Sequence, residues 1–277
     1  MSKASCLSAT EFFGWKRHPF IDFPATANSE AQLIKRDAEI FERAKEFLKI
    51  GRSFALIGTP GSGKTTLVRS IAQNLDTRSY KPIWLPYAGC NRQGLLRFVA
   101  DKIGIELTRK GLPPLPKLQR HLAHLQKDPG SPKPVIIVDD AQYLEPESLM
   151  DLCAMLAHPD DQGPLTTLIL VGDDALERTL RLTCYKAVFT RMVCVFRMDA
   201  LSPKDAKSLL EARLEVAKAP KDLFAEDAIE LLTTQSRGNR RELMNLATTL
   251  CVEAHLRNER VITAELILTT TPMQTIG

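Results

Sequence analysis

Short apolar runs at Ser53–Ile57, Pro82–Tyr87, Pro134–Val138, Leu165–Val171 and Val193–Phe196 alternate with segments whose apolar residues return every third or fourth position. The runs have the pattern of strands buried on both faces, and the longer period is that of helices with one buried stripe. The predicted helices are Ser29–Ile50, carried by Leu33, Ile40, Ala44, Phe47 and Leu48, then Thr65–Asn74, Leu95–Ile103, Leu118–Gln126, Pro146–Ala157 and Ala175–Arg181. Proline-bearing, polar Thr108–Pro116 and His158–Pro164 read as loops. Strands alternating with helices predict parallel βαβ units, hence a doubly wound α/β domain whose parallel sheet is flanked by helices.

The pattern changes at Leu201. Ser202-Pro203-Lys204-Asp205 combines a serine N-cap, a proline at the first helical position and an acid that completes a capping box. Beyond it, 203–218, 225–236, 239–257 and 263–268 all carry the helical period, so an all-helical domain follows. The chain divides into an N-terminal extension over 1–28, an α/β core over 29–200, a helical domain over 201–268 and a tail over 269–277. The first ten residues are small and polar and are expected to lack order. Phe12, Phe13, Trp15, His18 and Phe20 then form a dense ring cluster, which must pack either on the core or a domain seam, or on a ligand's flat ring.

Composition narrows the class without naming it. A chain of 277 residues, 44% hydrophobic and 25% charged, is long enough for one large domain and a smaller one. The formal charge of +4 permits a nucleic-acid or acidic partner without demanding one. Six cysteines occur with no CxxC pair, and Cys90, Cys194 and Cys251 sit inside apolar runs. That usage excludes a zinc ribbon or a disulfide framework and suits a reducing cytoplasm. The N-terminus lacks the basic-then-apolar order of a signal peptide, and no apolar run approaches the ~20 residues of a membrane span. The expectation is a soluble, cytoplasmic protein.

The chemistry lies in two places. Gly58-Thr59-Pro60-Gly61-Ser62-Gly63-Lys64-Thr65 follows a predicted strand and opens a helix, with Thr66 next in line. This is the G-x-x-x-x-G-K-[ST] phosphate loop in its required context. Its glycines let backbone amides wrap phosphate oxygens at a helix N-terminus, Lys64 adds a cation, and the Thr65 hydroxyl can ligate Mg2+. The second place is the end of Val135-Ile136-Ile137-Val138-Asp139-Asp140, a buried strand that delivers two acids. Asp139 is placed to hold the metal and Asp140 to act as general base toward water. With no N-K-x-D element for guanine, ATP is the expected nucleotide.

These motifs bring a family into view. The opening Phe12-Phe13-Gly14 with Pro19-Phe20, the stretch Val138-Asp139-Asp140-Ala141-Gln142, Leu168-Ile169-Leu170-Val171-Gly172 and Ser236-Arg237-Gly238-Asn239-Arg240-Arg241 resemble the ExeA-like branch of AAA+ ATPases. That branch is similar in its core to the transposition regulators TnsC, TniB, MuB and IstB. The likeness runs from Phe12 to Leu268 and implies an AAA+ P-loop NTPase core with a C-terminal helical lid. It implies that Arg191 is an arginine finger reaching a neighbouring subunit's γ-phosphate, with Arg178 and Arg181 competing for that role. It also implies that Arg241 is a second-sensor arginine, although Arg240 stands where relatives often carry proline. Two departures stand out: Asp139-Asp140 where many relatives have Asp-Glu, and Gly172-Asp173 where a neutral polar sensor is usual.

The resemblance sets expectations for partners too. The first is an ATPase that assembles as a ring or filament on duplex DNA and recruits or activates a transposase. Secretion-type relatives continue into a transmembrane segment and an envelope domain not seen in this sequence, which ranks that role second. The second role is assistance to secretion or pilus assembly, and a third is a nucleotide-gated adaptor with little hydrolysis. DNA-facing cations are expected among Arg78, Lys81, Arg92, Arg109, Lys110, Lys117 and Arg120.

Overall fold

The computed structural model describes residues 8–21, 34–85, 91–107, 112–128, 130–158, 163–220 and 222–270. The chain divides into two compact units, one of Asp37–Pro60 and Lys64–Met198, the other of Met1–Arg36, Gly61–Gly63 and Asp199–Gly277.

The first unit is built on five parallel strands, β1 (Ser53–Gly58), β2 (Tyr80–Leu85), β3 (Lys133–Val138), β4 (Thr167–Gly172) and β5 (Met192–Met198). Their order in the sheet is β2-β3-β4-β1-β5. Every residue of β1 and β4 is buried, as is all of β3 beyond Lys133, which is why these runs are continuously apolar rather than alternating. The helices are α2 (Lys35–Lys49), α3 (Lys64–Gln73), α4 (Arg92–Ile103), α5 (Pro114–Lys127), α6 (Pro146–Ala154), α7 (Asp174–Leu180) and α8 (Lys186–Phe189). The connection from β1 through α3 runs one way across the sheet to β2, whereas every later connection runs the other way. With right-handed crossovers, α3 covers one face and α4, α6 and α7 the other. The reversal makes the carboxyl ends of β1 and its neighbour β4 a topological switch point, where open α/β sheets bind ligands. The core joins Ala55 and Ile57 of β1, Ile136 and Val138 of β3, and Leu168 and Leu170 of β4 to Leu95, Leu118, Leu152 and Leu176 of the helices.

The second unit is helical. It holds α9 (Pro203–Ala217), α10 (Glu226–Gln235), α11 (Arg240–Leu256) and α12 (Ala264–Thr269), with the Ser202–Asp205 capping box formed at the start of α9. Leu210, Leu214, Leu232, Leu243 and Leu250 fill its interior. The aromatic cluster belongs to this interior. A short helix α1 (Ala9–Phe13), opened by a Ser8–Glu11 capping box and closed by Gly14 at φ 72°, sets Phe13 parallel to Trp15 at 4.4 Å. Trp15 and Phe20 are buried, Phe20 meets the Phe224 ring at 5.6 Å, and the Arg260 guanidinium lies 4.1 Å over Phe12. The rings are core residues of the helical unit, so the residues of the N-terminal extension group with 199–277.

Several boundaries differ from the pattern reading for physical reasons. Helix α5 begins at Pro114 inside the expected loop, because Pro114 and Pro116 occupy a first turn whose N–H groups need no intrahelical partner. Strand β4 begins at Thr167, two residues late, after an isolated bridge of Ala157 with Pro164. The expected order of residues 1–7, the start of the helix at 29–33, the strand residues 86–87, the loop residues 108–111 and 159–162, and the tail over 271–277 lie outside the described residues. Cys153 and Cys251 are buried thiols, and burial pushes Cys194 up to about 11, the behaviour of small apolar side chains. Among the described residues, no helix is long and apolar enough to cross a membrane.

Candidate nucleotide site

The phosphate loop joins the last residue of β1 to the first turn of α3. Gly61 and Gly63 adopt φ 81° and 93°, the left-handed region that side chains resist, so the backbone can curl there only with glycine. Lys64 is 8% exposed, and its Nζ donates to Gly58 O at 2.8 Å and Thr59 O at 2.9 Å. The ammonium is thus folded back over the loop onto neutral carbonyls, which it can exchange for more strongly accepting phosphate oxygens. The Ser62 Oγ is buried without a hydrogen-bond partner among the described residues. Thr59, Pro60 and Thr66 are exposed at the edges of the turn.

One strand away from β4, the end of β3 meets the start of α3. Thr65 Oγ1 donates to Asp139 Oδ2 at 2.7 Å, joining the two motifs, while Asp139 Oδ1 accepts the Asp140 N–H at 3.1 Å. A hydroxyl and a carboxylate at that separation, beside a phosphate cradle, are the hard oxygen donors that Mg2+ prefers. No cluster of three His, Cys, Asp or Glu side chains exists among the described residues. A magnesium held by one hydroxyl, one carboxylate and phosphate oxygens requires none, so the residues present fit magnesium–nucleotide. Asp140 is exposed at φ 52°, and its Oδ1 accepts from Gln142 Nε2 at 3.2 Å.

The sensor and finger positions are resolved unevenly. Asp173 caps α7, its Oδ1 accepting the N–H groups of Ala175 at 2.8 Å and Leu176 at 3.4 Å. Its carboxylate is committed to the helix N-terminus rather than to a sensor's task. Arg191 is exposed just before β5, and its Nη1 donates to Ala187 O at 3.0 Å. Arg181 pairs with Glu177 at 2.8 Å, whereas Arg178 is exposed and makes no ion pair with a described residue. In the helical unit, Asn239 caps α11, and the Arg241 N–H donates to Gly61 O at 3.1 Å. It is the Arg240 guanidinium that faces the loop: a Cβ built on Gly63 would lie 2.7 Å from Arg240 Nη1. The Arg241 side chain is exposed. The resemblance points to Arg241, and both arginines border the glycines: Arg240 through its guanidinium at Gly63, Arg241 through its Cβ at Gly61.

The described members of the expected DNA cations lie on several elements. Arg92 binds Asp151 through Nε at 2.5 Å and Nη2 at 2.8 Å, and its backbone N–H reaches Glu145. Asp151 is buried, so Arg92 is a bidentate strut between α4 and α6. Lys117 Nζ donates to Glu106 O at 2.5 Å. Arg78 and Lys81 are exposed at the beginning of β2, and Arg92 opens α4 beyond that strand's other end, a strand length of roughly 20 Å away. Arg120 is exposed on α5, and Arg109 and Lys110 lie outside the described residues. Reading by residue type could find cations; it could not show that Arg92 already has a buried partner.

The AAA domain family matches residues 30–180, more than half of the chain and the whole stretch from α2 through both motifs. This chain belongs to the AAA domain family. Within it, General secretion pathway protein A of Aeromonas hydrophila is 28% identical over 241 residues, covering 86% of this chain and 43% of that protein. The chain therefore spans less than half the length of that relative. Among solved structures, Cdc6p of Pyrobaculum aerophilum aligns at TM-score 0.67 and 17% identity, over 88% of this chain and 67% of that one. The Aeropyrum pernix ORC1 protein in complex with DNA aligns at TM-score 0.61 and 19% identity, over 85% and 64%. These two likenesses concern the fold: an AAA+ P-loop core with a helical C-terminal region.

Proposed function

We propose that this AAA protein binds magnesium–ATP at the Lys64 loop and hydrolyses it, using the cycle to switch its hold on a partner. The observation that carries the reading is the Thr65–Asp139 contact at 2.7 Å, which ties the phosphate loop to the acid pair across β4. Backbone amides of residues 58–65 take the phosphates, Lys64 exchanges its carbonyl partners for the β- and γ-phosphate oxygens, and Asp140 accepts the proton of attacking water. Thr65 and Asp139 would hold magnesium, which when bound would supply positive charge to offset that of the phosphates.

Hydrolysis in this reading depends on assembly of copies. Arg191 is the proposed finger: exposed, ahead of β5, with its Nη1 donating to the Ala187 carbonyl. Arg191→Ala should leave ATP affinity intact while lowering assembly-stimulated turnover by about 10²-fold, the usual effect of removing one transition-state donor. A stimulated rate equal to wild type, with a fall instead in Arg178→Ala, would reassign the finger to α7.

The partner divides two readings. The resemblance through Phe12-Phe13-Gly14 and Val138-Asp139-Asp140-Ala141-Gln142 supports an ATPase that assembles on duplex DNA and acts with a transposase. The fold shared with a DNA-bound ORC1 protein is compatible with that reading. The likeness to General secretion pathway protein A favours the second, an ATPase serving secretion or pilus assembly. Duplex binding at moderate salt, with and without a non-hydrolysable ATP analogue, separates them. ATP-dependent rings or filaments on DNA support the first; no duplex binding in either state supports the second.

A further inference from the structure

Strand β2 lies at one end of the sheet, beside β3, and its two faces differ. Ile83 and Leu85 are buried in the core with Leu95 and Val99 of α4. Alternation along the strand gives the opposite face to Tyr80, Pro82 and Trp84, and all three stay partly exposed. Val135 and Ile137 of β3 stand in register with Pro82 and Trp84, and Asp139 follows on the same face. This is the face of the sheet that α3 covers, and near β2 the cover is incomplete. Arg69 and Gln73 of α3, with Trp84, Leu85 and Asp139, line an open cleft of about 400 Å3. Lys64 is not among its walls, so the cleft runs beside the phosphate loop rather than through it.

Rings at every second position of a strand are spaced about 6.6 Å apart, and Tyr80, Pro82 and Trp84 make such a row. Partly exposed rings in a row are a platform for other flat faces. Cations flank the row at both ends. Arg69, at the Trp84 end, is exposed and makes no ion pair with a described residue. Arg78, at the Tyr80 end, is exposed in the turn between α3 and β2. The carboxylates at the two ends are engaged by donors of their own. Asp76 accepts the Arg78 N–H at 3.0 Å and the Ser79 hydroxyl at 2.8 Å, and Asp139 accepts from Thr65 and the Asp140 N–H. A ligand that alternates flat rings with anionic links matches this order of groups.

We propose that the cleft between α3 and β2 binds a single-stranded nucleic acid. Its bases stack on Trp84 and Tyr80, and its backbone phosphates lie at Arg69 and Arg78. A duplex cannot use the rings, because its base faces are already stacked on one another. The inference stands apart from the ATPase reading and from both partner readings above, since the contact needs neither hydrolysis nor the phosphate loop.

The test titrates the full chain with a labelled oligothymidylate of about twelve nucleotides at low salt, following anisotropy and tryptophan emission. Trp84 reports directly, because the chain's other tryptophan, Trp15, is 6% exposed within the helical unit. Saturable binding that quenches the indole is expected, about tenfold tighter than for a duplex of equal length. Trp84→Leu keeps apolar bulk and loses the ring; it should weaken the strand about tenfold, and Trp84→Phe should restore most of that. Arg69→Ala should lower the slope of log affinity against log salt by about 0.7, one single-strand phosphate contact. A non-hydrolysable ATP analogue with magnesium should leave the strand bound. An oligouridylate of the same length separates the two sugars: binding of either supports the site, and the tighter names the sugar. No binding of either at low salt would overturn the proposal. So would equal affinity for strand and duplex unmoved by Trp84→Leu, which would leave charge alone. Full displacement by the ATP analogue would overturn it by placing the strand on the phosphate loop. A proline-rich peptide bound through Trp84 in place of the oligonucleotide would make the cleft a peptide groove instead. If Trp84→Leu does not fold, Arg69→Ala, exposed on α3, carries the test.

Discussion

Lys64→Ala should abolish magnesium–ATP binding while leaving the protein folded. Lys64 opens α3 and is 8% exposed, so the cation works in a partly desolvated pocket where its interaction with phosphate is weakly screened. Truncating one partner of such a buried charge pair costs ~2–5 kcal/mol. At ~1.4 kcal/mol per decade that is a loss of roughly thirty- to several thousand-fold in Kd. The ammonium donates to the Gly58 and Thr59 carbonyls, which are neutral acceptors, so the variant's own melting temperature should move less than its ATP affinity. The contrast is sharp in a thermal melt: ATP raises the wild-type transition by mass action and leaves that of the variant where it was. A variant stabilised by ATP to the wild-type extent would remove Lys64 from the site.

Asp140→Asn should separate binding from turnover. Asp140 holds φ 52°, a left-handed conformation that asparagine tolerates and alanine resists, so the amide replaces the carboxylate without forcing the backbone. The asparagine oxygen can still accept from Gln142 Nε2, and Asp139 still faces Thr65. What is lost is the proton acceptor. The expected result is ATP affinity within a few-fold of wild type and a fall in kcat of about 10²–10⁴-fold. Isothermal titration with a non-hydrolysable analogue and phosphate release measured on the same preparation check both halves. Unchanged turnover would move the base to another group.

Much of this site could be read in the sequence because its chemistry is local. A phosphate loop needs glycines at fixed offsets before Lys64, and a buried strand needs an unbroken apolar run before Asp139, so both appear as contiguous patterns. The parallel sheet was legible for the same reason: β1, β3 and β4 are buried on both faces and contain almost no polar residue. The remainder depends on partners far along the chain. Nothing near Arg92 announces that Asp151 will saturate its guanidinium. Whether Arg240 or Arg241 turns toward Gly63 is decided by the register of α11 after the Asn239 cap, a rotation of about 100° per residue that adjacent identical side chains conceal. The aromatic cluster was visible as rings needing a surface, but its surface is made by Phe224, His255 and Arg260.

The most direct measurement of the central claim is titration of the purified chain with ATP in the presence of magnesium and again with the metal chelated. Saturable binding that weakens markedly without magnesium, and that is lost in Lys64→Ala, is the predicted result. Wild-type protein that takes up no ATP heat, or that binds equally with and without the metal, would contradict the joined roles of Lys64, Thr65 and Asp139.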